Sequence, residues 1–398
     1  LKNIKLREEI REHKPSKLPH LISFVKNTGV VLIASVAFYV YLVNQPSAFG
    51  LPPIDMGPFL ERQADPNFAP NDFFTNASML PNPRHIFGYA VVVLTKLFNT
   101  DWYTVFYGLF VLYVLTIPAL FFLNIVTALR KRIKNDGRYL FSLLLACIFT
   151  LSVFNSKVVA AVSIGWWAPL FLGPAAQTAS IFFGLIFSLI ALKTQIRQPY
   201  VLIPLLFIST LLHPSVGLFT FVFFLLLDFN IERIKFYLVS FLTSICSAYV
   251  LINTFFSSET SLSATEFIYY YIIERHRRHY LISDLATYTN VPWYIIFTAI
   301  LGIFGLIFII GILRRDQYLQ KISSIFFLIY GGAILMQYIF IEVAPVKIIA
   351  AISPVRFSIF AFWMLVFVTT YTLSQYLPLK LIPAIQERKI FGRKTIVF

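Results

Sequence analysis

The residues whose types and spacing could do chemistry fall in a few short stretches. The first, "LPPIDMGPFLERQADPNFAPNDFF" at 51–74, carries Asp55, Glu61, Asp65 and Asp72, with Arg62 among them. Its prolines suit a helix start, and Pro66 pushes Asp65 out of the helical region, so a helix of about three turns ends there. Asp55 and Arg62, seven residues apart, then share one face, and Glu61 and Asp65, four apart, share another. A carboxylate beside an arginine stays ionised and can act as a general base. The same pattern also describes an amphipathic helix lying on lipid headgroups. Asp72, in "APNDFFTN", suits a helix or turn cap.

A second stretch, "YYYIIERHRRHY" at 269–280, sets Arg275, Arg277 and Arg278 among histidines and tyrosines. Arginine and histidine donors suit a phosphate or pyrophosphate. Tyrosines suit the headgroup belt or a sugar face. Ordinary contact with anionic lipid gives the same composition. Lys347 and Arg356, in "PVKIIAAISPVRFS", could complete a basic rim, although each alone also reads as an interfacial anchor.

These stretches must be positioned by a very apolar chain. Of its 398 residues, 58% are hydrophobic and 13% charged, and the mean hydropathy is +0.76, against roughly 25% charged in an ordinary soluble domain. The fold expected is all-α: a polytopic helical membrane protein. At about 20 apolar residues per crossing, spans fall near 29–45, 103–129, 139–154, 174–192, 199–212, 215–227, 236–254, 293–313, 322–341 and 357–376. That is ten crossings, with a basic N-terminal segment at 1–28, a transmembrane domain at 29–376 and a basic tail at 377–398. Residues 86–98 are too short for a span, so they are expected to form an outer interfacial helix that opens at Arg84 and His85.

The net charge of +15 would suggest nucleic acid in a soluble chain, but here it sorts by side of the membrane. With both termini inside, 24 of the 33 Lys and Arg fall on the cytoplasmic side, the direction that the positive-inside rule requires. Ten of the 18 acids then lie outside, and none lies within a span. This disfavours an ion-coupled transporter with carboxylates at the bilayer midplane, and it favours chemistry or binding in the outer loops 46–102 and 255–292. The spans at 199–227 are short, so the "HPSVG" tip at 213–217 is a candidate cavity floor carrying His213. A plain helix-end cap is the alternative. Cys147 and Cys246 lie in apolar runs and read as small core residues.

A first span followed by an acidic outer loop, a Pro-rich turn, the short "PRHIFGYAVVVLTKLFN" helix and a long returning span ending in "ALRKR" resembles the start of the GT-C superfamily of polyprenyl-phosphate-sugar-dependent glycosyltransferases. "LERQADPNFAPNDFFTNA", "NPR", "LLHPSVGL" and "SPVRFSIF" are similar to a group of uncharacterised bacterial polytopic membrane proteins thought to share that plan. The resemblance implies a carboxylate of the first outer loop as catalytic base. Asp55, the first acid after span one, matches that position best, while Asp65 and Asp72 match the loop pattern of the uncharacterised group. On that reading Arg275, Arg277, Arg278, Arg356 and Lys347 would hold the donor phosphate, and Arg84, His85, His213 and Glu61 would line the cavity. The loop lacks the Asp-x-Asp or Glu-x-Asp pair of many such enzymes, so a divalent ion, Mg or Mn, is an open element. The expected partners are a lipid-linked sugar and membrane lipids, with an envelope-assembly protein as a further candidate and nucleic acid excluded. The expected location is the bacterial inner membrane. A non-enzymatic lipid-linked glycan flippase and a structural envelope subunit are the alternatives.

Overall fold

The computed structural model describes residues 56–79, 85–154, 176–194, 199–257, 263–274, 277, 280–285 and 290–377. The expected first span at 29–45, the N-terminal segment and the basic tail lie outside them. Among the described residues every regular element is helical. In chain order these are α1 (Gly57–Ala64), α2 (Phe73–Ser78), α3 (His85–Phe98), α4 (Trp102–Arg130), α5 (Asp136–Val153), α6 (Ala176–Lys193), α7 (Ile203–Leu212), α8 (Pro214–Asp228) and α9 (Ile234–Ser257). They continue with α10 (Ala264–Phe267), α11 (Trp293–Leu313), α12 (Gln317–Gln337), α13 (Lys347–Ile352) and α14 (Ser358–Tyr376). A π turn extends α10 over Ile268–Glu274, and a second extends α12 over Tyr338–Val343. Among the described residues, five segments are long and apolar enough to cross a membrane: Trp102–Arg130, Ala176–Lys193, Trp293–Leu313, Gln317–Val343 and Lys347–Tyr376. This is the architecture of a helical membrane protein.

Side-chain contacts fix the directions of the helices. Phe121 of α4 meets Phe223 of α8 and Trp363 of α14 at 6.1 and 4.8 Å between ring centroids. Asn124 of α4 donates to the Leu185 carbonyl and accepts from the Ser188 hydroxyl of α6. Farther along, Arg132 donates to the Leu227 carbonyl at the end of α8, and Arg233, just before α9, donates to the Ala191 carbonyl of α6. Helices α4, α6, α8 and α14 therefore run the same way. They start at what we call the loop end, where α1 to α3 join α4, and finish at the basic end, which holds Arg130 to Arg132, Arg138 and Arg233.

Lipid offers little hydrophobic drive for helix association, so close packing and buried hydrogen bonds must hold the bundle. Small residues allow that approach. A Cβ on Gly217 of α8 would sit 2.6 Å from the Thr210 Cα of α7, and one on Gly184 of α6 would sit 2.5 Å from the Thr220 Cγ2. Ser180 and Ser209 exchange reciprocal hydroxyl-to-carbonyl hydrogen bonds, each 2.7 Å, across α6 and α7. The largest buried rings, among them Phe121, Phe154, Phe223 and Trp363, fill the centre.

Candidate functional site

At the loop end, the segment from α1 to α3 folds back on the start of α4. Pro58 lies in the first turn of α1, and the helix stops where Asp65 turns extended (φ −128°, ψ 105°) ahead of Pro66. Glu61 accepts a 2.8 Å hydrogen bond from the Trp102 indole, which fastens α1 to α4. Arg62 donates to the Ala69 carbonyl and the Asn76 side chain, closing the intervening turn. Asp65 is exposed and accepts from the Asn67 amide. Asp72 is exposed and accepts from the Thr75 amide at 2.6 Å, at the start of α2. Glu61 and Asp65 thus point to different partners, because Asp65 has already left the helix.

His85 is buried. Its ring stacks on Phe59 at 4.1 Å and 10°, its Nε2 meets the Ser78 carbonyl at 2.9 Å, and burial pushes its pKa below the usual value. The ring joins α1 to α3. His213 is the N-cap of α8: its extended backbone separates α7 from α8, and its Nδ1 accepts from the Val216 amide at 3.4 Å. Phe219, six residues on, meets Phe357 at 5.7 Å. His213 is therefore about 9 Å further toward the loop end than that contact, at the end of the bundle that also carries Arg356.

The second assembly centres on Arg356. Its guanidinium lies over the Tyr280 ring at 4.8 Å. Gln337, fully buried at the end of α12, donates to the Tyr280 carbonyl at 2.9 Å and accepts from the Val355 amide at 3.4 Å. Glu342 accepts from the Ile282 amide, and the Trp293 indole donates to the Ile282 carbonyl. The strap at 280–285 is thereby fastened to α12, α11 and the turn before α14. Ser353, two residues into the "ISPVRF" break, adopts a left-handed conformation with φ 50°, which is costly for a residue with a side chain. Arg277 pairs with Asp284, so part of its charge is already used within the strap. Lys347 opens α13 and is half-buried.

Asp55, Arg84, Arg275 and Arg278 lie outside the described residues. Among the described ones, the structure brings Arg356 together with Tyr280 and the strap. It gives Glu61, Asp65 and Asp72 separate local partners instead of gathering them. No group of three His, Cys, Asp or Glu residues among the described ones could hold a metal ion.

Sequence reasoning missed two heavily bonded acids among the described residues, which lie at the basic end. Asp228 is paired with Lys131 at 2.8 Å and with Arg233, and Tyr237 donates to it at 3.1 Å. Asp316 caps α12 through the Tyr318 and Leu319 amides and accepts from the hydroxyls of Tyr371 and Tyr376, at 3.0 and 2.6 Å. The available signal was an acid at the very edge of an apolar run, as in "FFLLLDFNIER".

The chain matches no protein-family model, no curated protein and no solved structure.

Proposed function

We propose that the chain is a GT-C-type glycosyltransferase of the bacterial inner membrane, taking a sugar from a polyprenyl-phosphate donor at the loop end. In this reading ten spans carry both termini on the cytoplasmic side. The acceptor hydroxyl gives its proton to the Asp55 carboxylate as its oxygen bonds to the anomeric carbon. The bond from that carbon to the phosphate oxygen breaks, and its electron pair leaves with the lipid phosphate. Positive charge beside the departing phosphate lowers the barrier, and Arg356 is the first group we assign to that task. The observation that supports the reading is the Arg356 turn itself: a half-buried guanidinium set over Tyr280, behind the left-handed Ser353, at the loop end.

The test uses the purified chain in lipid nanodiscs with a polyprenyl-phosphate hexose. Asp55→Asn should lower sugar transfer by on the order of 10²–10⁴-fold, and Arg356→Gln by on the order of 10²–10³-fold. Full activity in Asp55→Asn, Asp65→Asn and Asp72→Asn alike would overturn the enzyme reading. For the topology, single cysteines are introduced at exposed Glu266 and exposed Lys134 after Cys147 and Cys246 are replaced. An impermeant thiol reagent should label the first in intact cells and the second only after the membrane is breached.

A further inference from the structure

The π turn at Ile268–Glu274 has two unlike faces. Ile268 and Ile272 are buried in a cluster with Tyr280, Leu281, Ile341 and Ala350. Tyr269 and Tyr270 point away from it, 48% and 55% exposed. Their rings meet edge to face at 5.2 Å, an arrangement that leaves ring surface uncovered. The carboxylate of exposed Glu274 lies beside the Tyr269 hydroxyl.

The level of this turn follows from α12. Its 21 residues rise about 31 Å, close to the roughly 30 Å of hydrocarbon. The whole segment Gln317–Val343 is longer than that, so Ile341, two residues from its end, stands at the edge of the hydrocarbon at the loop end, and the tyrosines stand with it, near the level of headgroups and of any sugar carried on them.

We infer that Tyr269, Tyr270 and Glu274 form a pyranose-binding face. A sugar presents C–H bonds on its faces and hydroxyls around its edge. An uncovered ring receives the first, and a carboxylate, able to accept two hydroxyl donors, receives the second. Tyrosine alone would serve equally as a headgroup anchor, but Glu274 is poorly matched to that use because lipid phosphates repel it. Burial of Ile268 and Ile272 holds the face in place before a ligand arrives, which reduces the ordering cost of binding. The inference deepens the glycosyltransferase reading and rests on it only for the source of the sugar.

The probes are the methyl pyranosides of glucose, galactose and mannose, offered to the full chain in zwitterionic nanodiscs and read by saturation-transfer NMR. Transfer from protein to the ring protons of at least one pyranoside is expected. It should fall about tenfold in the Tyr269→Ala/Tyr270→Ala double variant and weaken in Glu274→Gln, a change at an exposed site that leaves the fold intact. Adding a polyprenyl-phosphate hexose displaces the pyranoside if the face receives the donor sugar and leaves it bound if the face receives the acceptor. No transfer from any of the three, or equal transfer in the double variant and Glu274→Gln, overturns the inference and leaves the tyrosines as headgroup anchors. Pyranoside binding in a chain that transfers no sugar would instead sink the enzyme reading and leave this face standing.

Discussion

The Asp228 carboxylate and the Arg233 guanidinium, five residues apart across the turn from α8 to α9, form an ion pair with only 4% and 6% of their side chains exposed. Arg233 donates hydrogen bonds through Nη1 alone, to Asp228 and to the Ala191 carbonyl, and lies over the Phe236 ring, while Nε and Nη2 have no hydrogen-bond partner among the described residues. Removing Asp228 would therefore strand a buried cation. Asp228→Ala should cost about 3–5 kcal/mol, read as a lowered melting temperature of the purified protein. Combining Asp228→Asn with Arg233→Met should recover much of that loss, because both desolvated charges go together. Equal loss in the single and double variants would contradict the assignment.

Close approach of α7 and α8 makes a second contrast. At Gly217 a new Cβ would press on the Thr210 backbone, which cannot rotate aside, whereas at Gly108 of α4 it would meet nothing within 4 Å. Gly217→Ala should destabilise by about 1–3 kcal/mol. Gly108→Ala should be neutral or stabilising by up to about 1 kcal/mol, from helix propensity. Thermal melts of the two proteins, side by side, check both signs.

Apolar run length carried most of the helix positions. The expected span 293–313 coincides with α11, because Pro292 and Arg314 bound an uninterrupted run. The expected 322–341 starts five residues late, since Asp316 caps α12 among polar residues that hydropathy discounts. The end of α1 at Asp65 followed from Pro66, a local steric effect. Partners far apart in sequence were not legible. Asp228 meets Lys131 across 97 residues, and Gln337 meets Tyr280 across 57. A glutamine near the end of a span gives no sign that it will bind two backbone groups.

Gln337 supplies the third prediction. Gln337 bonds both the Tyr280 carbonyl and the Val355 amide, so Gln337→Leu removes two buried hydrogen bonds at a cost of about 1–3 kcal/mol. The effect should be local. Hydrogen exchange should quicken at 280–285 and around Val355 while the amides of α4 and α6 keep their protection. Unchanged exchange in the strap would show that Glu342 and Trp293 suffice to hold it.

His85 makes the junction of α1 and α3 sensitive to acid. Burial, the larger cause, disfavours the imidazolium; the contact with the Ser78 carbonyl pulls the other way and is smaller, so the folded pKa lies below the ordinary 6.5. Above that value the imidazole is neutral whether docked or released, and the junction has its full stability. As pH falls below it, a released ring takes a proton more readily than the docked one, so stability is lost down to the folded pKa and then levels. The loss cannot exceed one proton's linkage, about 1.4 kcal/mol per pH unit. His85→Phe keeps a ring against Phe59 and removes the titration. The melting temperature of the unsubstituted protein relative to His85→Phe should therefore decline between about pH 7 and 5. A constant difference across that range would mean that the ring titrates equally in both states, which its stacking on Phe59 and near-complete burial argue against.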